Sequence, residues 1–507
     1  MKSNKKVNEF AKKEGIPIVH SDDGDLSHEA DECAGQENDG KELVERYGFP
    51  AFKNEKGKVS KLNEPFWAAY HAAHEPGMLF EADLEEFYCY DPETGLFQPR
   101  SRDLIRKKLA EQILERSRAW PGLAELERFR NESQLHGILA HLRGELEQHN
   151  AFSPQGNIIH LANCVLELEP DGSFSRRPFS PKYRSRNRSP ILYDEKAECP
   201  SFKEKILGHM EEDDRALLQQ YCGQCLLGRN LTQRILLLDG VGQASKGAVV
   251  LITAGIIGEK NTYELRTEHL GGRFEIGRMI GKTLLLGSDV KADFLSREGA
   301  SRLKALVGGD ILEAERKTSN KELLISGDFN AMITSNSRLR VRLEGDRSAW
   351  ERRLAIAKYD KPFKGNKIPD IDKLLLESEG NGILNWFIEG ARKLLKSIDE
   401  TGDISLSSCQ RERVKTLLSE SDSLRIFLRE NIVGDRGPNL TGDEIIDEYN
   451  LSCIKAGWNP IPRRIAQEQL ENLMLELFSA AKSNCVKRDG KDRRGFFNIR
   501  FRQDDEE

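Results

Sequence analysis

The chain has 507 residues, a formal net charge of -6, 32% charged residues and 38% hydrophobic residues. Its length is enough for about two to four domains with hydrophobic cores, and its composition excludes a disordered tail, a collagen and a disulfide miniprotein. No stretch approaches the about 18 uninterrupted apolar residues of a membrane span, and the start lacks a secretory signal, so we expect a soluble cytoplasmic protein without membrane contact. The nine cysteines are scattered along the chain, which favours reduced thiols over a disulfide framework.

The N-terminal part of the chain changes character near residue 45. Residues 1–45 are predicted to be a disordered acidic tail, because the stretch SDDGDLSHEADECAGQENDGKE has almost no large apolar side chains. Residues 46–215 are predicted to be a small α+β region. Its aromatic runs FWAAY, MLF, FYCYD and GLF, together with the turn signal DPETG, indicate short strands and a hairpin. Helical spacing predicts helices at 102–117 and 121–148, and residues 151–200 have the pattern of strands and turns.

Residues 216–400 are predicted to form an α/β domain. The runs RILLL (234–238), TLLL (283–286) and AMIT (331–334) are short and apolar on both faces. Helix-like sequence flanks each of them. This pattern is typical of the buried strands of an α/β sheet.

A phosphate loop is the first candidate site. The strand RILLLD is followed by a loop with two glycines, a lysine and an apolar helix; the residues of interest are Gly240, Gly242, Ser245, Lys246 and Gly247. Loop amides and a helix N-terminus point at phosphate oxygens, while such a lysine reaches the outer phosphates. The match is imperfect, because Ser245 replaces the second glycine and Gly247 replaces the hydroxyl residue that ligates Mg²⁺. Taken alone, the segment is as compatible with a plain strand-to-helix turn as with a nucleotide site.

A second candidate is Asp289, which ends the strand sequence TLLLGSD. A carboxylate at the carboxyl edge of a buried strand lies where an α/β sheet binds its ligand, and where a Walker B acid holds Mg²⁺ through water. A single aspartate there is otherwise often a helix cap. The hairpin-like stretch ILEAERKTSNKELLIS, a strand that ends at Asn336, and the sequence WERRL with Arg352 and Arg353 then follow.

In this order, the segments resemble the superfamily III helicases, specifically the helicase part of the phage/plasmid primase-helicase family, which is related to the poxvirus primase-helicase. The likeness covers about residues 80–503. The segments that carry it include NIIHLANCVLELEPDG (157–172), ILYDEKAECPSFKEKIL (191–207), GRFEIGRMIGKTLLLGSDV (272–290) and LKALVGGD (303–310). The resemblance implies an AAA+-type P-loop ATPase core in an ATP-dependent DNA helicase of a phage, plasmid or integrated mobile element. It also implies replication as the process, 3′-to-5′ movement, a homo-hexamer, and ATP with Mg²⁺ as cofactors.

The resemblance also implies residue roles. Lys246 would bind phosphate, Asp289 would be the Walker B acid and metal ligand, and Asn336 would be the sensor that orients the attacking water. Arg352 or Arg353 would reach the γ-phosphate bound to a neighbouring subunit, a role that requires a ring. The lysines that would contact single-stranded DNA, between the Walker B acid and the sensor and on the hairpin, are Lys304, Lys317 and Lys321.

Three positions depart from the family pattern. The family usually has glycine before the lysine, Ser or Thr after it, and glutamate as the Walker B acid, whereas this chain has Ser245, Gly247 and Asp289. Water can occupy the Mg²⁺ position left by the hydroxyl, and the aspartate shortens the reach of the acid. Slow turnover is therefore expected, and a second hypothesis stays open: a catalytically degenerate nucleotide- and DNA-binding scaffold or loader for a replication complex.

Residues 420–503 are predicted to be a winged-helix DNA-binding domain. Helices are predicted from near Ser421, after Thr441 and from about Pro462, before a basic turn and the alternating strand FNIRF. Single-stranded and origin DNA are the expected partners, with contacts from basic residues at the start of the third helix and in the wing: Arg463, Arg464, Lys487, Arg488, Lys491, Arg493 and Arg494. The alternative is a solvated hairpin beside a packing domain.

Other motifs support no competing chemistry. Cys222 and Cys225 lie in helical sequence without a second Cys or His pair, which favours core cysteines over a zinc or redox site. His71 and His74 lack the glutamate of a metalloprotease motif. The arginine-rich run at 176–188 is compatible with a solvated loop or a ligand site. No primase-like constellation stands out in the first 150 residues, so a primase module is expected to be missing or carried by another chain.

Overall fold

The structure is a computed structural model that describes residues 42–120, 123–153, 156–240, 245–315, 322–341, 343, 347–361, 368–456 and 458–503. The predicted acidic tail lies almost entirely outside these residues. The chain forms two compact units. The first ends at Gly156 and also includes Pro178–Arg186; the second consists of Asn157–Arg177 and the chain from Asn187 onward. The domain limits expected from the sequence stay predictions.

Short strands and a hairpin form the sheets of the first unit, as predicted. The strands are β1 Ala51–Lys53, β2 Val59–Leu62, β3 Met78–Glu81, β4 Glu86–Asp91, β5 Leu96–Arg100 and β6 Glu147–Gln148. Strands β1 and β2 pair with each other, and the others form a sheet of order β5-β4-β3-β6. The predicted turn joins β4 to β5, because the Asp91 carboxylate accepts hydrogen bonds from the Glu93 amide at 3.0 Å and the Thr94 hydroxyl at 2.7 Å.

The run FWAAY is helical, which corrects the prediction of a strand there. It belongs to the first of the helices α1 Glu64–His74, α2 Arg102–Ala119 and α3 Glu132–Glu145. The Asn63 side chain accepts from the Phe66 amide at the start of α1, and a proline in the first turn suits a helix start. Phe66, Trp67 and Tyr70 then lie on one buried face, because residues four apart share a face of a helix.

The two helices predicted after residue 100 differ in outcome. The prediction at 102–117 is confirmed by α2. The prediction at 121–148 is too long, because a 3-10 helix occupies Ala124–Phe129 and α3 begins only at Glu132. The Asn131 side chain accepts from the Gln134 amide at 3.1 Å, and this cap sets the start of α3.

A five-stranded parallel sheet is the centre of the second unit among its described residues. Its strands are β10 Ile235–Gly240, β11 Thr262–Glu264, β12 Leu284–Gly287, β15 Asn330–Thr334 and β16 Leu354–Tyr359. They lie in the order β11-β12-β15-β10-β16. The three buried strands predicted from RILLL, TLLL and AMIT are confirmed, and β11 and β16 join them.

The other strands of this unit form small antiparallel sheets. Strands β7 Asn157–His160, β8 Val165–Leu168 and β9 Phe174–Arg177 confirm the strands expected within 151–200. Strands β13 Ile311–Glu315 and β14 Glu322–Ser326 confirm the expected hairpin.

Helices cover both faces of the parallel sheet. They are α4 Glu212–Leu227, α5 Lys246–Ile257, α6 Ser301–Gly308, α7 Arg347–Arg353, α8 Ile371–Thr401 and α9 Ser408–Ser421. Helices α4, α5 and α8 share a core with one face, and α6, α7 and α9 share a core with the other. The connection after β10 therefore runs on the first face and the connection after β15 on the second. Adjacent strands whose connections leave on opposite faces form a topological switch point at their carboxyl ends.

Helices α4 and α8 approach each other closely at glycines. A Cβ at Gly223 would lie 2.0 Å from the Ala391 amide nitrogen, and a Cβ at Gly390 would lie 1.9 Å from the Gln219 carbonyl oxygen. The flanking Cys222 and Cys225 are 1% and 0% exposed. The prediction of core cysteines is confirmed, and burial raises the pKa of the Cys222 thiol to about 12.

The chain from Ser423 to Phe501, called here the C-terminal module, combines helices with an antiparallel sheet. Its described elements are α10 Ser423–Asn431, β17 Ile432–Thr441, α11 Gly442–Lys455, α12 Arg463–Phe478, β18 Lys482–Arg488 and β19 Lys491–Phe501. The predicted helices and the strand FNIRF are confirmed. The basic turn is tighter than predicted, because β18 and β19 are joined by Asp489 and Gly490 alone, both at positive φ. Among the described residues of the whole chain, no helix is long and apolar enough to cross a membrane.

Candidate functional site

The carboxyl ends of β10, β12 and β15 carry the candidate site. Strand β10 ends at Gly240, where φ is +147° and a Cβ would lie 2.3 Å from the Tyr359 carbonyl oxygen. Only glycine fits so close to the neighbouring strand. The loop residue Gly242 lies outside the described residues.

Ser245 precedes α5 in a left-handed conformation, with φ of +63°. Glycine adopts this conformation without strain, whereas a residue with a Cβ does so at a cost. The structure therefore gives a backbone reason for the glycine that the motif places here.

Lys246 is the first residue of α5, and its side chain turns back towards β10. The residue is 5% exposed, and Nζ donates to the Gly240 carbonyl oxygen at 2.5 Å. Burial lowers the pKa of Lys246, and the carboxylates of Asp239, Asp289 and Asp360 oppose that shift. A lysine at a helix N-terminus that also interacts electrostatically with three carboxylates suits the binding of a phosphate together with a cation.

Asp289 and Asn336 contact each other directly. Asn336 Nδ2 donates to Asp289 Oδ1 at 2.6 Å, although the residues are 47 positions apart. The Asp289 amide also donates to Thr334 Oγ1 at 2.8 Å, with Asp289 at φ +46°. These bonds join the ends of β12 and β15, so the two residues singled out from the sequence lie at one edge of the sheet.

Gly247 follows Lys246 in the first turn of α5. A Cβ at this position would meet no atom within 4 Å. Space at the Cβ position therefore does not require glycine.

Asp239 and Arg338 belong to the same edge, and sequence reasoning missed both. Arg338 Nη1 donates to Asp239 Oδ2 at 3.1 Å, and Arg338 Nε donates to Glu420 Oε2 at 2.8 Å. Asp239 directly follows the buried run RILLL, the same signal that singled out Asp289. No comparable local signal marks Arg338, because both of its partners are distant in sequence.

The adjacent arginines that end α7 have different surroundings. Arg353 is 7% exposed, and its Nε donates to the Lys304 carbonyl oxygen at 3.2 Å. Arg352 is exposed.

The Lys304 ammonium lies over the ring of the buried Trp350, 5.6 Å from its centre. Lys317 and Lys321, between the hairpin strands β13 and β14, lie outside the described residues.

The basic residues of the C-terminal module fall into two groups. Those held by acidic neighbours are Arg463 with Asp443 and Asp447, Arg464 with Glu468, and Arg488 with Glu444. The exposed ones along the β18–β19 hairpin are Lys487, Lys491, Arg493 and Arg494. Arg493 and Arg494 lie within β19 and not in a turn. The second group is the more available to a phosphate backbone, since the side chains of the first group are already paired with carboxylates.

No group of three or more His, Cys, Asp or Glu side chains that could hold a metal ion occurs in the described part of the chain. The edge of the sheet around Asp289 thus offers few protein ligands for a metal ion. Mg²⁺ commonly keeps several waters and binds through one or two carboxylates together with substrate phosphates. The donor set around Asp289 fits that kind of metal binding.

Comparisons with known proteins give limited similarity. No curated protein gives a significant match. The chain is similar to the A form apo structure of the NrS-1 C terminal region, with 12% identity over 85% of this chain and 98% of that chain and a TM-score of 0.44. An apo structure of NrS-1 C terminal region residues 305–718 gives 13% identity over 86% and 99%, with a TM-score of 0.43. Similarity at this level supports no statement about function. A family model described as a family of unknown function, DUF5906, matches residues 238–353, which include Lys246, Asp289 and Asn336.

Proposed function

We propose that the chain is an ATP-dependent DNA helicase of a phage, plasmid or integrated mobile element, which acts as a hexameric ring in DNA replication. The observation that carries the proposal is the meeting of Lys246, Asp289 and Asn336 at one edge of a parallel sheet. That edge includes the switch point between β10 and β15, where open α/β sheets bind their ligands.

The residues at this edge suit ATP and Mg²⁺. Lys246 and the backbone amides at the start of α5 would bind the phosphates, with a phosphate oxygen replacing the Gly240 carbonyl as the partner of Nζ. Asp289 would hold Mg²⁺ through water, and the bound ion would neutralise charge on the phosphates. The Asn336 amide, which now donates to Asp289, would orient the attacking water.

The helicase assignment adds a ring and DNA contacts. Arg352 takes the role of the arginine that reaches a neighbouring subunit, because it is exposed while Arg353 is held by the Lys304 carbonyl. The order helix, strand, helix, helix, strand, strand in the C-terminal module supports a winged helix. An AAA+-type core and the 3′-to-5′ direction follow from the family resemblance, and a separate chain would supply primase activity.

A second function is favoured by the phosphate loop itself. Gly247 has no hydroxyl for Mg²⁺, and the Lys246 ammonium already has a partner in the Gly240 carbonyl oxygen at the end of β10. Both features fit a protein that binds nucleotide and DNA as a scaffold or loader without turnover.

Steady-state ATP hydrolysis with Mg²⁺, with and without single-stranded DNA, separates the two functions. For a helicase, we expect DNA-stimulated turnover that Lys246→Ala abolishes and Gly247→Thr increases, since the threonine adds a hydroxyl ligand for Mg²⁺ at a position where a Cβ meets no atom within 4 Å. Gly271→Thr is the matched control, because a Cβ there also meets no atom within 4 Å. Absence of turnover in both the natural protein and Gly247→Thr would favour the scaffold.

A further inference from the structure

Residues 336–341, called here the linking segment, contact both the candidate nucleotide site and the C-terminal module. At the start of the segment, Asn336 donates to Asp289 at 2.6 Å. At its end, Arg340 Nη2 donates to the carbonyl oxygen of Pro460 in the module at 2.6 Å, and the Val341 amide donates to Oγ of Ser421, the last residue of α9, at 3.0 Å. A stretch of six residues therefore spans the distance between the two regions.

Arg338 lies in the middle of the linking segment and pairs with a carboxylate in each direction. It reaches Asp239 at 3.1 Å and Glu420 at 2.8 Å. The Glu420 side chain is 10% exposed and that of Arg338 is 27% exposed. Ion pairs that are partly shielded from water are weakened less by salt than exposed ones.

Asp239 connects Arg338 with the phosphate-binding lysine. It precedes Gly240, whose carbonyl oxygen accepts from Lys246. A carboxylate so close to bound phosphates repels them unless a cation neutralises it. The Arg338–Asp239 pair therefore favours nucleotide binding, and bound nucleotide in turn changes the electrostatic energy of that pair.

Glu420 connects Arg338 with the C-terminal module. It lies in the last turn of α9, which ends at Ser421, two residues before α10 begins. Within the module, the hydroxyls of Ser423 and Tyr449 are hydrogen-bonded at 2.7 Å, and the Tyr449 hydroxyl accepts from the Ile461 amide at 2.9 Å. The end of α9 is thus linked through α10 to α11 and to the approach to α12.

We propose that Arg338 is a positioning residue that couples nucleotide binding at Lys246 to DNA binding by the C-terminal module, an inference that rests on the proposed function. Coupling of this kind is reciprocal, so DNA changes nucleotide affinity by the factor by which nucleotide changes DNA affinity. We expect a factor of at least about fivefold, the lower end of typical coupling between sites.

The test measures the affinity of the full chain for a fluorescent ATP analogue with Mg²⁺, without and with a saturating duplex oligonucleotide. The natural protein is expected to bind the ATP analogue with affinities that differ by at least about fivefold between the two conditions. Glu420→Gln should keep the nucleotide affinity measured without DNA but lose the effect of DNA. Arg338→Gln should lose the effect of DNA and also bind nucleotide more weakly, because the Asp239 charge is left unpaired.

Arg297→Gln is the matched control. Arg297 also bridges two carboxylates, Glu268 at 2.8 Å and Asp293 at 3.2 Å, and its side chain is 29% exposed. In this variant, DNA should change the affinity for the ATP analogue as much as it does in the natural protein. If Arg338→Gln does not fold, Glu420→Gln decides alone, since its amide has the shape of the carboxylate.

The outcomes separate the two claims. Failure of the natural protein to bind the ATP analogue would refute the proposed function, and the coupling with it. Binding of both ligands with independent affinities, or a natural effect of DNA in Glu420→Gln, would overturn the coupling and leave the nucleotide site standing.

Discussion

At the scale of one residue, Ser245 shows what a departure from a motif costs the backbone. In the sequence, serine at this position looks like a defect of the phosphate loop. In the structure, the residue has φ of +63° directly before Lys246. A non-glycine residue in the left-handed region costs on the order of 1–3 kcal/mol, and such strain concentrates at ligand sites.

We expect Ser245→Gly to raise the free energy of unfolding by up to about 1 kcal/mol, because glycine removes the strain but loses more entropy on folding. Urea unfolding monitored by circular dichroism measures the change. Ser408→Gly is the control: it starts α9 without a positive φ, and should lower stability by about 0.5–1 kcal/mol. If both variants lost the same free energy of unfolding, the strain at Ser245 would be contradicted.

The pair Arg352 and Arg353 shows what adjacency in sequence leaves open. Sequence reasoning allows either residue to be the arginine that reaches the γ-phosphate bound to a neighbouring subunit. The structure separates them, because Arg353 is 7% exposed and bonded to α6 whereas Arg352 is exposed. The direction of each side chain depends on how α7 packs against α6, and this packing has no local signature.

At the scale of elements, the contact between α4 and α8 explains why glycine lies inside the CGQC segment. A Cβ at Gly223 would lie 2.0 Å from a backbone nitrogen of α8. The segment therefore belongs to the core beneath the parallel sheet. Its cysteines are flanking core residues, as the sequence indicated.

Gly223→Ala should lower the free energy of unfolding by about 1–3 kcal/mol, the usual cost of forcing extra volume into a packed contact. Thermal unfolding measures the loss. Gly144→Ala serves as the control, because a Cβ at this helical position meets no atom within 4 Å. That variant should gain up to about 1 kcal/mol from helix propensity. A neutral Gly223→Ala would refute the close helix contact.

The β18–β19 hairpin is the element whose surface bears on the proposed DNA binding. Its basic residues differ in availability: Arg488 is held by Glu444 at 2.6 Å, while Lys487, Lys491 and Arg493 are exposed. Exposed cations along a hairpin suit a phosphate backbone.

Changing Lys487, Lys491 and Arg493 together to Gln should weaken DNA binding and reduce its salt dependence. The slope of log affinity against log salt should fall by about 0.9 for each duplex phosphate that the protein no longer neutralises. Fluorescence anisotropy over a salt series checks this. As a control, Lys396→Gln removes a 67% exposed lysine on α8 and should leave the slope unchanged. An unchanged slope in the triple variant would exclude the hairpin as the DNA-binding element.

At the scale of the whole molecule, the proposed function depends on a ring. Lys246 and Arg352 would act at the same nucleotide but belong to different subunits. Such a head-to-tail interface closes into a ring when its rotation allows. Light scattering with ATP and single-stranded DNA measures the assembly, and a monomer under all conditions would contradict the ring.

Lys246→Ala and Arg352→Ala should each abolish ATP turnover, and their mixture should recover part of it. Recovery is expected because some interfaces of mixed rings combine an intact lysine with an intact arginine. A mixture of Lys246→Ala with the double variant lacking both residues is the control and should stay inactive. If the first mixture forms rings but recovers no ATP turnover, Arg352 does not act at the nucleotide of a neighbouring subunit.

The sequence by itself determined the elements whose signals are local. Apolar runs identified β10, β12 and β15, turn residues identified the hairpin β4–β5, and helical spacing identified the helices of the C-terminal module. The same patterns placed Lys246, Asp289 and Asn336 near strand ends. Local patterning failed for FWAAY, because an aromatic run fits a strand or a helix until its cap and its buried face are known.

Only the tertiary structure decided which strand ends become neighbours. The order β12-β15-β10 brings Asp289 to Asn336, and the return of α9 to the sheet brings Glu420 to Arg338. These partners are far apart in sequence, so their pairing depends on crossovers and helix packing that no short segment encodes. The left-handed Ser245 and the buried Arg353 depend on the same packing, and the functional geometry is therefore a property of the folded unit.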